Sequence, residues 1–457
     1  MKDNNSKSKE RIAIVGGGMM GITAAFELAK TGLFEITIFE KADELGGMSD
    51  YYKWDEIVWD RFYHVVLGDD EELLKFISDI GLEDQLFWQK TRTGFYGNGK
   101  LVSLSSSLDF IKFPFMSMWE KFRFALGILY STKIKDPSKL DRIYVRKWLT
   151  KVFGRQVYEN IWDPLLRSKL GDEREKTSAA FIWASINRQY GARSAGSKIE
   201  KMGYVHGGYK AIIEAAKKKL KEYGVKIHTD SLVTKIKPVQ LDNDNSKKRL
   251  LRLYVNTNNS IHTFDKILFT IPCPAVLENI GINNEHSYWK QLAQVEYLRV
   301  VCVFLVLRHR LSLYYVINLL DKELPFTGII EATNVVSPKE LNNKHLVYLP
   351  KYMPAGHLVN ELKDSEIIEL FINKLKKVFP DLKDNDILHK KLFRETYTQP
   401  LQKLNFLDRK TGFATPIENV YLVNSSMIYN STLNNNAIVS LAKKATRKIF
   451  QDINVNK

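Results

Sequence analysis

Residues 11–47 constrain this chain more than any other stretch. RIAIV (11–15) is a short apolar run of strand character that breaks into Gly16-Gly17-Gly18-Met19-Met20-Gly21. ITAAFELAKTG then places apolar residues at helical spacing and stops at Gly32, and ITIFE (36–40) is a second strand that ends on Glu40. The order strand, turn, helix, strand is a β–α–β unit with Gly16-x-Gly18-x-x-Gly21 at its turn. In such a unit the first glycine allows a tight turn, the second lets a pyrophosphate approach bare backbone, and the third lets the helix pack closely. The helix N-terminus offers unpaired N–H groups and a positive dipole end to the phosphates. A carboxylate about twenty residues further on meets a ribose diol, and Glu40 holds that place. The plainer alternative is a glycine-rich turn in some other α/β unit. A lone triplet would fit it, but five pieces in the right order favour a dinucleotide site.

The residues after Glu40 separate one dinucleotide from another. The sequence continues Lys41-Ala42-Asp43-Glu44-Leu45-Gly46-Gly47. A second glycine pair just past the ribose acid resembles the extended fingerprint of FAD-dependent amine oxidases, protoporphyrinogen oxidases, phytoene desaturases and UDP-galactopyranose mutases. The resemblance implies FAD. An arginine often comes directly after the pair in those families; here Met48 stands there, so that charge contact is absent.

The resemblance runs along nearly the whole chain. Asp60-Arg61-Phe62-Tyr63-His64 is similar to the stretch that leads from the FAD loop toward the flavin ring. Residues 158–166 (YENIWDPLL) and Lys169-Leu170-Gly171-Asp172 resemble a bacterial subgroup often labelled protoporphyrinogen-oxidase-like. Residues 203–209 (GYVHGGY) resemble the segment that returns to the FAD domain before a basic amphipathic helix, and Val233 matches a valine that packs by the adenine. Tyr397-Thr398-Gln399-Pro400 resembles the approach to the last FAD segment. Where relatives carry a glycine–acid pair after the final strand, this chain has Asn424-Ser425, and its last helix (434–448) opens Asn434-Asn435-Asn436-Ala437.

The implied fold is α/β: a Rossmann-like FAD-binding domain of the glutathione-reductase type with an inserted mixed α+β substrate domain. The first is expected to be discontinuous, over 1–68, 200–285 and 390–457, and the second to span 69–199 and 286–389. The expected cofactor-binding residues are Gly16, Gly18, Met20, Gly21, Glu40, Lys41, Gly46, Gly47, Met48, Val233, Asn424, Ser425, Asn436 and Ala437. No cysteine lies in the C-terminal segment, where cysteinyl linkage occurs in relatives, so FAD is expected to be non-covalent.

Local signals add detail. Asp69 with Glu72 three later predicts a capped helix over 69–81, stopped by Gly81. Asn98-Gly99 predicts a hairpin over 88–104. A meander over 249–256 and 261–271 is expected, split by the polar turn DNDNSKK. Cys273 and Cys302 lie in apolar, strand-like runs and read as buried thiols in a reducing compartment. No Cys-x-x-Cys or His/Cys ligand spacing occurs, so no metal site is expected.

Length and charge bound the rest. A chain of 457 residues suits two domains. Its opening, MKDNNSKSKE, is polar and lacks a secretory pattern, and no apolar run reaches the ~18–20 residues of a spanning helix. A cytoplasmic protein is expected, soluble or peripheral on the inner face of the membrane. The net charge of +16 favours acidic partners. Nucleic acid ranks last, because the lysines are scattered and no nucleic-acid motif accompanies them. Residues 110–130 (FIKFPFMSMWEKFRFALGILY) interleave aromatics with Lys112, Lys121 and Arg123. They read either as a core helix of the substrate domain, the reading in front, or as contact with an anionic membrane.

For catalysis, the family's flavin takes a hydride at N5 and the protein aims the substrate. His64 and Tyr397 are the candidates, each with a bland counterpart: a loop-ordering histidine and a packing aromatic. The expected function is oxidation of a bulky apolar or amphipathic small molecule of the porphyrinogen, isoprenoid or amine class. The alternatives are a redox-neutral mutase on a nucleotide sugar, like UDP-galactopyranose mutase, and a non-catalytic binder like Rab GDP-dissociation inhibitor.

Overall fold

Ile12, Ala13 and Ile14 are fully buried, so strand Glu10–Val15 is covered on both faces, as its unbroken apolar run demands. The computed structural model describes residues 9–194, 201–239, 250–255, 260–280, 285–429 and 431–455. In it this strand is the centre of a five-stranded parallel sheet, in the order Lys226–His228, Phe34–Phe39, Glu10–Val15, Lys266–Phe269, Val420–Leu422. Helices Met19–Ala29, Gly208–Glu222 and Asn435–Val455 join its core. An antiparallel meander of Val233–Val239, Leu250–Val255 and Ser260–Phe264 packs nearby, with Phe264 edge-on to Phe39 at 5.9 Å. The DNDNSKK turn lies outside the described residues.

A second, seven-stranded mixed sheet runs Ile387–Pro400, Tyr297–Leu307, His345–Met353, Gly328–Glu331, Val316–Leu319, Thr93–Gly97, Lys100–Ser103. Strand Tyr297–Leu307 shows how it joins the first unit. Val301, Val303, Leu305 and Leu307 face helix Asp364–Val378 through Ile367, Phe371 and Leu375. Val300, Cys302, Phe304 and Val306 face the opposite way and pack with Trp59, Phe62, Tyr204 and Tyr348. The two-residue period of the strand thus buries one face in its own layer and the other against loops that leave the parallel sheet. Strand Ile387–Pro400 runs through position 390 as one element of this sheet.

Helices Met118–Lys133, Val145–Phe153, Asp163–Leu170 and Ala179–Ser194 form a third layer. Helix Met118–Lys133 starts at a reciprocal cap: the Glu120 N–H donates to Ser117 Oγ, and the Ser117 N–H to Glu120 Oε2. A Cβ at Gly127 would lie 2.6 Å from the Phe153 ring, so a glycine there is what lets the two helices close up.

The hairpin stands where Asn98-Gly99 puts it, with both residues at positive φ (50° and 71°). Three local readings are corrected. The helix expected over 69–81 is Glu71–Asp79, preceded by Asp70 rather than Asp69. The Asp70 carboxylate does not cap it, because it accepts the Leu67 N–H and both arms of Arg188. Cys273 opens helix Cys273–Ile280 instead of lying in a strand, because strand Lys266–Phe269 has already ended. The final helix runs to Val455, since buried Ala442, Ala445 and Ile449 carry its apolar stripe onward.

Candidate functional site

The turn after strand Glu10–Val15 is shaped by what its glycines cannot carry. Gly16 sits at φ 110°, and its N–H donates to the Phe39 carbonyl at 2.8 Å. A Cβ on Gly21 would stand 2.0 Å from the Gly16 carbonyl oxygen, so the third glycine sets how closely the helix abuts the turn. Gly18 differs. A Cβ there would meet nothing nearer than the Gly46–Gly47 backbone at 3.9 Å, so its side-chain position is open space. Gly18 also starts helix Met19–Ala29 with no side-chain cap, and the first ladder bond is Ile22 N–H to Gly18 O at 2.9 Å. The N–H groups of Met19, Met20 and Gly21 therefore have no intrahelical partner, while the side chains of Met19 and Met20 are buried in the core.

Glu40 is buried beneath this turn. Its Oε2 accepts the Gly17 N–H at 2.6 Å and its Oε1 the Ala42 N–H at 3.0 Å. Lys41 beside it is exposed. The Gly46–Gly47 loop returns to the same place: the Gly46 N–H donates to Gly17 O at 2.9 Å, and Gly46 pairs with Gly18 as a parallel bridge. Both loop glycines have positive φ (133° and 58°), which a side chain would strain.

Met48 packs on the cluster shared with the seven-stranded sheet. Arg61 reaches the same loop: its guanidinium donates to Gly47 O at 2.8 Å and lies 3.4 Å from Asp50. Its Nε is buried without a protein acceptor. Arg61 stands inside the Asp60–His64 motif, but sequence position alone assigns it no role, because the contact is made from fourteen residues away. Burial raises the carboxyls of Asp50 and of Glu395, which sits 3.8 Å from Arg61.

The remaining expected residues gather around this centre. The Ser231 N–H donates to Glu40 O at 2.7 Å, which seats buried Val233 near Glu40. Asn435 hydrogen-bonds Ser49, so the Asn434–Ala437 turn abuts the Gly46–Gly47 loop. Asn434 caps the last helix through the Ala437 N–H, and Asn436 accepts the Leu73 N–H. The Asn424 side chain is committed within the protein: Nδ2 donates to Ile271 O, and Oδ1 accepts from the N–H and hydroxyl of Ser426. The backbone and Ser425 are what this pair presents outward.

The two catalytic candidates lie apart from each other. The His64 ring packs at a tilt against Tyr209, centroids 4.7 Å apart, with Nδ1 3.7 Å from Asp60. Asp60 is itself fixed by the Tyr209 N–H and passes its own carbonyl to the Tyr348 hydroxyl at 2.6 Å. Tyr397 is 41% exposed and leans on Tyr297, whose hydroxyl reaches Cys273. His206 pairs with Glu340 at the surface.

These residues fit a dinucleotide with a flavin: a bare turn at uncapped N–H groups, a buried carboxylate beside it, a glycine loop, and an unfilled guanidinium donor at its edge.

Comparison with known proteins agrees. A family model described as flavin containing amine oxidoreductase matches residues 19–446. The chain is 26% identical over 181 residues to the mitochondrial protoporphyrinogen oxidase of Nicotiana tabacum, covering 39% of this chain and 36% of that protein. It is 22% identical over 326 residues to the coproporphyrinogen III oxidase of Staphylococcus aureus, covering 64% and 67%. The solved structure of an oxidoreductase from Methanosarcina mazei superposes with TM-score 0.74 at 18% identity, over 96% of this chain and 100% of that one.

Proposed function

Because the chain belongs to the flavin containing amine oxidoreductase family, we propose that it is an oxidoreductase that holds FAD non-covalently and oxidises a bulky apolar or amphipathic small molecule. The observation that carries this is the uncapped N-terminus of helix Met19–Ala29 beside the open face of Gly18. The pyrophosphate belongs at those N–H groups, the adenosine ribose at Glu40, and the next phosphate edge near Arg61. Both cysteines are buried, Cys302 inside a strand and Cys273 beneath Asn424 and Ser426, which supports a cofactor without a cysteinyl link.

When bound, the flavin supplies the hydride acceptor. The protein would supply position and dryness: the N–H groups of Asn435 and Asn436, at the start of the last helix, would hold the flavin's pyrimidine edge, and the Tyr63–His64 loop would border the substrate. The FAD part comprises 1–68, 200–285 and 390–457, and the substrate part 69–199 and 286–389, with strand Ile387–Pro400 spanning one join. Porphyrinogens lead the substrate classes, on the names of the two curated relatives, ahead of isoprenoids and amines.

The protein works in the cytoplasm, peripherally on an anionic membrane. Helices Ser107–Lys112 and Met118–Lys133 pack Phe110, Phe124 and Ile128 on the core, where Phe113 and Met116 of the segment between them are buried, and expose Leu108, Ile111, Met118, Trp119, Phe122, Leu126, Leu129 and Tyr130. The basic residues around these exposed side chains are not all those singled out by sequence. The Lys121 ammonium donates to Ile111 O, and the Arg123 guanidinium to Lys151 O. Lys112, Lys133, Lys135 and Lys139 are the ones that keep accessible surface. Among the described residues no helix is long and apolar enough to cross a membrane.

The test is an absorption spectrum of purified protein, followed by anaerobic mixing with a porphyrinogen, a carotenoid precursor and an amine. Flavin bands that bleach with one of them support the proposal. A colourless protein that takes up no FAD refutes it.

A further inference from the structure

The motif Lys169-Leu170-Gly171-Asp172 has no part in the cofactor site, yet it leads to a second group of polar residues. Lys169 stands in the last turn of helix Asp163–Leu170, directly after a π-helical turn at Tyr158–Trp162. Lys351 lies on strand His345–Met353 of the seven-stranded sheet. The two come together around Ser168: the Lys351 ammonium donates to Ser168 O at 3.3 Å, and Thr327 Oγ1 donates to the same carbonyl at 2.9 Å. The Lys169 ammonium sits over the Tyr352 ring, 4.9 Å from its centre. The Tyr352 hydroxyl is 3.1 Å from that of Tyr63, the neighbour of His64.

Two features make this cluster unusual. Among the described residues, neither lysine has a carboxylate within ion-pair distance. The carboxylates on the same helix and the turn after it face other cations: Asp163 and Asp172 face Arg167 and Arg174, Glu173 faces Lys176 and Lys403, and Glu175 faces Arg146 and Arg174. Secondly, the surrounding protein strips water from both ammonium groups. Burial brings Lys169 down to about 8 and lowers Lys351. Yet Lys169, Lys351, Tyr352 and Tyr63 all keep some accessible surface, so none of them is sealed inside the packed core. His357, close by, is lowered by burial and by Lys351, with Asp172 opposing them. Two desolvated cations without counter-charge are costly, and an incoming anion removes that cost.

We infer that Lys169 and Lys351 form a subsite for an anionic group of the substrate, a carboxylate or a phosphate, beside the point where the Tyr63 and Tyr352 hydroxyls meet. Calling that anion part of a substrate rests on the oxidoreductase reading above. The subsite narrows the substrate class to molecules with an acidic group at one end and a bulky oxidisable body at the other. The Tyr352 face seats the Lys169 ammonium by cation–π attraction, while the Ser168 carbonyl aims that of Lys351.

The probes are a porphyrin bearing free propionates, its neutral methyl ester, and uridine diphosphate, titrated into the full chain with the heat of binding as readout. One anionic probe is expected to bind, more weakly as pH rises through the range where Lys169 loses its proton. Lys169→Met and Lys351→Met are each expected to weaken it about ten-fold or more, with Lys169→Arg restoring part of the loss and the ester unaffected throughout. Binding of the porphyrin acid assigns a carboxylate, and binding of uridine diphosphate a phosphate. Wild-type protein that binds neither, or variants that bind both as the wild type does, overturns the inference. A protein that binds an anion at these lysines but lacks flavin would instead sink the oxidoreductase reading alone, so the two failures are distinct.

Discussion

Glu40→Ala probes the proposed dinucleotide site at a side chain that folds the turn and to which we assign the ribose. The carboxylate accepts Gly17 N–H at 2.6 Å and Ala42 N–H at 3.0 Å from a buried position. Hydrogen bonds to a charged group contribute about 1.5–3 kcal/mol each. Alanine therefore removes two such bonds from the protein itself, and apo-protein stability is expected to fall by about 3 kcal/mol or more. The ribose hydroxyls lose their partner as well, so the FAD Kd is expected to rise roughly ten- to a hundred-fold. Glu40→Gln separates the two effects. Its single carbonyl oxygen still accepts one backbone N–H, so most of the fold survives, while the amide is a weaker ribose acceptor. The assay is flavin fluorescence quenching on apo-protein, with circular dichroism melts alongside. If Glu40→Ala melts early but binds FAD with the wild-type Kd, the carboxylate only braces the turn and the ribose assignment is wrong.

Other positions carry expectations of their own. Gly18→Val fills the open space beside the uncapped helix and is expected to yield folded protein without flavin; full flavin content after purification would show that the turn does not hold the cofactor. Reversing Lys112, Lys133 and Lys135 to glutamate should release the protein from anionic vesicles, since each basic residue near such a surface contributes about 1 kcal/mol. Wild-type protein that stays in the supernatant at low salt would refute the membrane contact. Glu331 is buried, which raises its carboxyl to about 7 despite N–H donors from Leu311 and Ser312. The folded state thus holds this proton more tightly than the unfolded chain. Its contribution is present below the ordinary value near 4.5 and lost as pH rises through about 7, a swing of about 3 kcal/mol. The stability difference between wild type and Glu331→Gln should carry that slope across pH 4.5–7; a flat difference would contradict it.

The parts of this protein legible from sequence are those whose constraint is local. A strand covered on both faces needs an apolar run, and a turn where a Cβ would stand 2.0 Å from backbone needs glycine, so residues 11–47 announce the parallel sheet by themselves. The Asn98-Gly99 hairpin is legible for the same reason. What escaped depends on partners distant in the chain. Arg61 reaches the Gly47 carbonyl because a loop folds it back, and no spacing rule registers such a contact. Asp70 forgoes its cap because Arg188, more than a hundred residues away, claims it. Lys169 and Lys351 are ordinary lysines until the helix and the sheet bring them together around Ser168. The 110–130 stretch reads as core because its aromatics are dense; several of them face outward, a division that helical phase records only once the packing partners are known.

The interleaving of the parallel sheet has a consequence for how the chain is made. Glu10–Val15 is the middle strand, yet one flank waits for Lys266–Phe269, and the Arg11 N–H finds the Asp265 carboxylate across 254 residues. Beyond that flank the sheet waits again for Val420–Leu422. On the ribosome the first strand and its glycine turn therefore emerge long before either neighbour on that side exists. Closing such long loops is slow, and an apolar edge left open meanwhile invites pairing with other chains. Helix Met19–Ala29 and strand Phe34–Phe39 are the early cover available to it. Maturation of this protein is thus governed by its C-terminal segments, whose arrival converts an adhesive half-sheet into a finished one, and overproduction should strain chaperone capacity before it strains translation.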